Sequence, residues 1–189
     1  MARIVEAAER LMRDRGVEGV TIQDITEAAD VGHGTFYLHF KTKVDVLRPV
    51  IEHLSEQVHE QVNRSAHGIE DPALRVALGL RVVLRAIAED PLWSWYAGSG
   101  TSFVDLVSKM GNPPAEDVKR GIESGRFRVT NVPATQRFIN GAVVELIKSI
   151  NAGAKVEDVA DATAELVLRV LGVPVEEAAQ ITNEPLAIH

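Results

Sequence analysis

The chain has 189 residues, 46% of them hydrophobic and 25% charged, which suits one compact unit or a small domain joined to a larger one. It holds no cysteine, so disulfides, thiol catalysis and cysteine zinc sites are excluded; with no apolar run near the roughly 18 residues of a membrane span and no apolar signal core ahead of Glu6 and Glu9, a cytoplasmic protein without a membrane partner is expected. The net charge is −7, yet residues 1–48 carry seven basic groups against eight acidic ones, so any anionic partner of that segment must be held by a few placed groups rather than a broad positive patch.

The pattern predicts helices nearly everywhere. Ile4, Val5, Ala8, Leu11 and Met12 follow the spacing of one buried helical face, which Gly16 ends. Thr21 starts a second helix, with Asp24 three residues on in the manner of a capping box. Its inner face is read as Ile22, Ile25, Ala28 and Ala29. Asp30-Val31-Gly32 breaks the pattern, and a short helix follows through Thr35, Phe36, Tyr37 and Leu38. Thr42 with Asp45 repeats the cap signature ahead of a long helix. Val44, Leu47, Val50, Ile51, Leu54, Val58 and Val62 form its inner side. Pro49 sits inside it, where a kink or a helix regular only beyond the proline is expected. Asp71-Pro72 and Asp90-Pro91 each pair an N-cap with a proline at the first helical position. Asn112-Pro113 and Val132-Pro133 restart the chain similarly. Gly98-Ser99-Gly100, Gly111, Gly125, Gly153 and Gly172 read as stops. Residues 174–189 read as a short final helix and a frayed tail.

The informative segment runs from Thr21 to Lys43: helix, three-residue turn, short helix, then a new capped helix. This is a helix-turn-helix, whose second helix is built to enter a DNA major groove. Val31, Phe36 and Phe40 can face inward. Gly32, His33, Gly34, Thr35, Tyr37, Leu38 and His39 are left for the outer face. The run Gly34-Thr35-Phe36-Tyr37-Leu38-His39-Phe40-Lys41-Thr42-Lys43 resembles the reader of the TetR family of transcriptional regulators. The likeness covers residues 4–48, and the rest matches only in architecture. It implies an all-α protein: a three-helix reader over residues 1–48, then a helical ligand-binding and dimerisation body over residues 49–189.

The resemblance also implies roles. Thr21 and Thr35 offer hydroxyls, and Tyr37 a phenol, to phosphate oxygens. Lys43 adds charge to the N-terminal amides of the fourth helix. His33 and Gly34 meet base edges, and Leu38 a thymine methyl. Two residues depart from the family pattern: Asp30 where Gly is common, and Gly32 where Ser or Thr is common. Asp tolerates the turn, whereas Gly32 forgoes a hydroxyl contact. The chain also starts almost at the first helix, without the basic arm many relatives carry.

In the body, Trp93, Trp95, Tyr96, Phe103 and Leu106 concentrate apolar bulk, with Arg81 and Arg85 on the preceding helix. They read either as core or as the wall of a pocket for a small, largely apolar effector. Residues 134–152 and 156–171 show broad apolar faces. Phe138, Gly141, Ala142, Leu146, Thr163, Val167 and Val170 are the expected homodimer seam, since two copies match two half-sites of a palindromic operator. No nucleophile–base arrangement or phosphate loop marks an enzyme, and no cofactor or metal is expected. The reading is a repressor released from DNA by its ligand; the alternative is a constitutive DNA-binding or interaction module with no ligand.

Overall fold

A computed structural model describes residues 1–98 and 113–183, whose regular elements are all helices. Helix α1 spans Ala2–Arg15, α2 Ile22–Ala28, α3 His33–His39 and α4 Lys43–Ser65. Then come α5 (Pro72–Glu89), α6 (Pro91–Gly98), α7 (Pro113–Glu123), α8 (Val132–Asn151), α9 (Val156–Val170) and α10 (Val175–Asn183).

Side-chain caps mark the starts of α2, α4, α5, α6 and α8. Thr21 and Thr42 each close a full capping box, with Asp24 and Asp45 reaching back to the cap amides. Asp71 accepts from the Ala73 amide ahead of α5, with Pro72 in the first turn. Asp90 accepts from the Leu92 amide at the start of α6, and Asn131 from the Ala134 amide at the start of α8. Gly172, after α9, has a φ of +88°, and a Cβ there would lie 3.1–3.2 Å from Arg128 atoms. The Arg128 amide donates to the Leu171 carbonyl at 2.9 Å, so this close passage of two segments is specific to glycine.

α1 packs on α2 and α4, and α2 on α3, forming the small N-terminal unit. α4 runs from that unit into the body. There α5 is the central helix, packed most extensively on α9 and α7 and also on α4, α6, α8 and α10. One buried core runs through both parts, from Ile4 and Phe36 through Leu47 and Ile51 to Leu84, Trp93 and Leu168. A smaller one, Val62, Ala66, Leu78 and Val82, pins the far end of α4 to α5.

Two expectations, the onset of α4 and the inner faces of α2 and α4, are corrected. α4 is helical from Lys43, so it does not wait for Pro49; the proline sits in the second turn and forgoes only the bond to the Asp45 carbonyl. Val44 and Ala28, read as inward, are exposed, and Thr26 is buried instead with its hydroxyl donating to the Gln23 carbonyl. A boundary at residue 48 falls inside α4, which is common to reader and body.

Candidate nucleic-acid interface

The α2–α3 turn depends on Asp30, the non-glycine residue at positive φ (+50°) among those described. Its side chain meets Arg3 of α1 at 3.0 Å. An Asp survives there because its short polar side chain tolerates the left-handed region better than most. The turn sets α3 with Phe36 fully inward and Phe40 buried one turn on, their ring centroids 5.6 Å apart. Phe36 also meets Tyr37 edge-on at 5.6 Å and 84°. That contact steadies a Tyr37 side chain whose residue is 56% exposed, while Leu38 is 81% exposed.

The outer face of α3 thus holds His33, Gly34, Thr35, Tyr37, Leu38 and His39, all exposed, as expected, with Gly32 as the N-cap. A Cβ at Gly32 or Gly34 would meet nothing within 4 Å. The protein's own packing does not call for glycine at either place. Their bareness lets another surface approach the α3 backbone. The hydroxyls of Thr35 and Tyr37 carry no hydrogen bond among the described residues and are free to donate outward.

Two of the expected contacts have other work. Lys43 donates from Nζ to the carbonyls of Val17 (2.9 Å), Glu18 (3.2 Å) and Val20 (3.0 Å). An ammonium has three N–H groups, and all three are used in tying the start of α4 to the α1–α2 loop. The expectation that Lys43 lends a free charge to phosphate is therefore corrected. Thr21 accepts from the Asp24 amide at 3.1 Å and donates its hydroxyl proton to the Asp24 carboxylate. That donation, with the Thr21 amide, holds the Asp24 carboxyl below its usual range. Thr21 is a cap with no proton left to give a phosphate.

The residue the sequence reading passed over is Lys41. It is exposed, and its ammonium makes no hydrogen bond or ion pair among the described residues. It lies two residues before the α4 N-terminus, beside the Thr42 amide. Lys41 and Lys43 stand in the same motif, but one faces solvent and the other the loop behind it.

The body divides the expected effector wall. Trp93 lines a polar cleft of about 470 Å³ with Arg13, Gln57, Arg64 and Asp90. Trp95 and Tyr96 line a different, more apolar cleft with Phe40, Leu47 and Pro49. Arg81 is buried and pairs through Nε with Asp161 of α9 at 2.5 Å, and Arg85 is half-buried one turn on. Phe103 and Leu106 lie outside the described residues. A charged tie joins reader to body: Arg13 of α1 meets Asp90, the cap of α6, at 2.7 Å and Glu9 at 3.1 Å.

The residues expected for the seam fall on both the outer and the inner sides of α8 and α9. On α8, Ile139, Val143 and Ile147 face the core, which leaves Phe138 and Gly141 exposed and Ala142 and Leu146 half-buried. On α9, Val170 is exposed. Thr163 and Val167 are buried with Ala160, Ala164 and Leu168 against the protein's own interior, so neither can sit in a seam. Leu166, 55% exposed, takes the outward place instead.

Comparison with known proteins gives two family matches. Residues 4–50 match the model described as bacterial regulatory proteins of the tetR family, and residues 71–184 the tetracyclin repressor-like C-terminal domain. The regulator TtgR of Pseudomonas putida is 36% identical over 70 residues, covering 37% of this chain and 33% of that protein. The matched segment is thus about a third of that relative's length. Among solved structures, RolR without ligand is 29% identical over the whole of both chains, with a TM-score of 0.87. RolR in complex with resorcinol is similar to the same degree, covering 100% of this chain and 95% of that one.

Proposed function

This chain belongs to the TetR family of bacterial regulatory proteins, a family of DNA-binding regulators and not of enzymes, and from that premise we propose that it is a dimeric repressor released from its operator by a small hydroxylated aromatic molecule. The DNA half rests on α3. His33, Gly34 and Leu38 face base edges, Thr35 and Tyr37 donate to phosphates, and Lys41 supplies the charge first assigned to Lys43. The reader is taken as residues 1–48 and the body as residues 49–189, with α4 as the lever between them.

The ligand half is carried by one observation, the whole-length likeness to RolR, a protein solved with resorcinol. At 29% identity the fold of the body carries over more firmly than the pocket lining. Coupling is reciprocal: a ligand that weakens operator binding tenfold binds the DNA complex tenfold more weakly, about 1.4 kcal/mol.

The test begins with duplexes selected by the protein from random sequence. A two-fold symmetric consensus supports two readers on one palindrome. Fluorescence anisotropy on that operator, titrated with resorcinol and other dihydroxybenzenes, then tests release. Operator binding that none of them disturbs would replace the gated reading with a constitutive one.

A further inference from the structure

Trp93 and Trp95, two positions apart on α6, line different clefts, and the side bearing Trp95 and Tyr96 faces the reader. It closes a cleft of about 480 Å³ with Phe40 at the end of α3 and Val44, Leu47, Arg48, Pro49 and Glu52 of α4. The volume is that of a small-molecule site, and junctions between units are where such sites concentrate. The lining is mainly apolar, with three rings in a chain that has only 5% aromatic residues.

We propose that this junction cleft is a binding site for a flat, neutral aromatic molecule carrying one hydroxyl. Half-buried Trp95 offers its ring to another, backed by the more deeply buried Phe40 and Tyr96. The polar groups at the rim choose its substituent. Asp45 takes the Lys41 and Thr42 amides at 3.0 and 2.8 Å, and Arg48 is held by Glu52 at 3.1 Å. The lining also holds Met1 and His39, so the carboxylates of Asp45 and Glu52 are matched by Arg48 and the Met1 amino group, and no surplus charge is left to hold an ion. The Glu52 carboxylate keeps lone pairs free, so a hydroxyl on the ligand finds an acceptor there. A molecule so placed touches α4 and α6 together, on the opposite side of α6 from Trp93. The site goes beyond the gated reading and does not depend on it.

Trp93 and Trp95 are the two tryptophans of the chain, so Trp93→Phe leaves Trp95 as the single reporter. The probe is 2-naphthol, with absorption corrected. Saturable quenching of Trp95 is expected, with a dissociation constant on the order of 10–100 μM for a ligand of this size. Val44, exposed at the rim, is the place to fill the cleft: Val44→Phe weakens binding at least about fivefold, or roughly 1 kcal/mol. Calorimetry on the wild type and on Val44→Phe alone repeats the comparison without disturbing buried Trp93. Absence of saturable binding in both measurements, or binding equal in Val44→Phe, overturns the site. Neither measurement involves DNA, so their failure leaves the gated reading standing, and the operator titration can fail without touching this one.

Discussion

Lys43 and Lys41 show how far one residue's role depends on which way it turns. The Lys43 ammonium, 25% exposed at its side chain, satisfies three carbonyls of the α1–α2 loop. Hydrogen bonds from a charged donor contribute about 1.5–3 kcal/mol, so Lys43→Ala should lower the melting temperature by several degrees. Lys41→Ala should leave stability nearly unchanged and make the salt dependence of DNA binding shallower by roughly one unit. Thermal melts and a salt titration of each variant decide; the reverse pattern returns the phosphate contact to Lys43. The sequence could not separate them, because the loop carbonyls that capture Lys43 lie 23 to 26 positions away. Gly121 poses a similar case. A Cβ there would run into the ring of Phe127, which is buried. The Phe127 amide also donates to the Gly121 carbonyl at 2.9 Å, so the two backbones are held together and the ring is what must give. Gly121→Ala should cost about 1–3 kcal/mol by overpacking, measured by denaturant unfolding. A neutral result would mean that Phe127 has another rotamer open to it.

At the scale of elements, starts were easier to read than faces. Thr21–Asp24, Thr42–Asp45, Asp71–Pro72 and Asp90–Pro91 marked helices because capping is local chemistry. The outward side of α9 was not legible, since Ala160, Ala164, Leu166, Val167, Leu168 and Val170 are apolar nearly all round. The divided aromatic wall had a signal that went unused: positions two apart on a helix point about 200° from each other, so Trp93 and Trp95 could not share one face. Asp71 shows what a cap does beyond its own helix. It caps α5 and receives Arg126 through Nε at 2.9 Å, while Arg126 also meets Glu177 of α10 at 2.7 Å. The Arg126 hydrogen bonds hold the Asp71 carboxyl below its usual range. A carboxylate depressed in the fold binds more protons when unfolded, so its contribution is present above the unfolded value, about 3.9, and is lost as pH falls through the folded one. Asp71→Asn keeps a good cap but not the charge. It should melt lower at pH 7 and show a flatter acid limb between about pH 5 and 2 than the wild type. Parallel acid limbs would remove Asp71 from the account of acid sensitivity.

For the whole molecule, the outcome turns on which apolar groups one chain leaves uncovered. The body buries most of its own, including Val143, Ile147, Ala164 and Leu168. Phe138, 64% exposed, and Leu166 remain on the outer sides of α8 and α9. Large apolar side chains on two successive helices are what a two-fold seam needs, because each copy then offers the same patch to the other. A stable seam of this kind buries on the order of 1,500 Å² in total. Leu166→Asp would place an unpaired charge in it while leaving the single chain intact, since the side chain already meets water there. Val167→Asp makes the contrast. Val167 is 4% exposed within its own chain, so a buried unpaired carboxylate there should unfold the body rather than split a dimer. Light scattering and circular dichroism read the two effects apart. The wild type should be dimeric at micromolar concentration. Leu166→Asp should be monomeric with full helical signal, and its operator affinity should collapse because two half-sites must then be filled by two separate binding events. Val167→Asp should lose helical signal. A Leu166→Asp protein that remains dimeric would move the seam off α9, and a monomeric wild type would leave a palindrome without a matching protein symmetry.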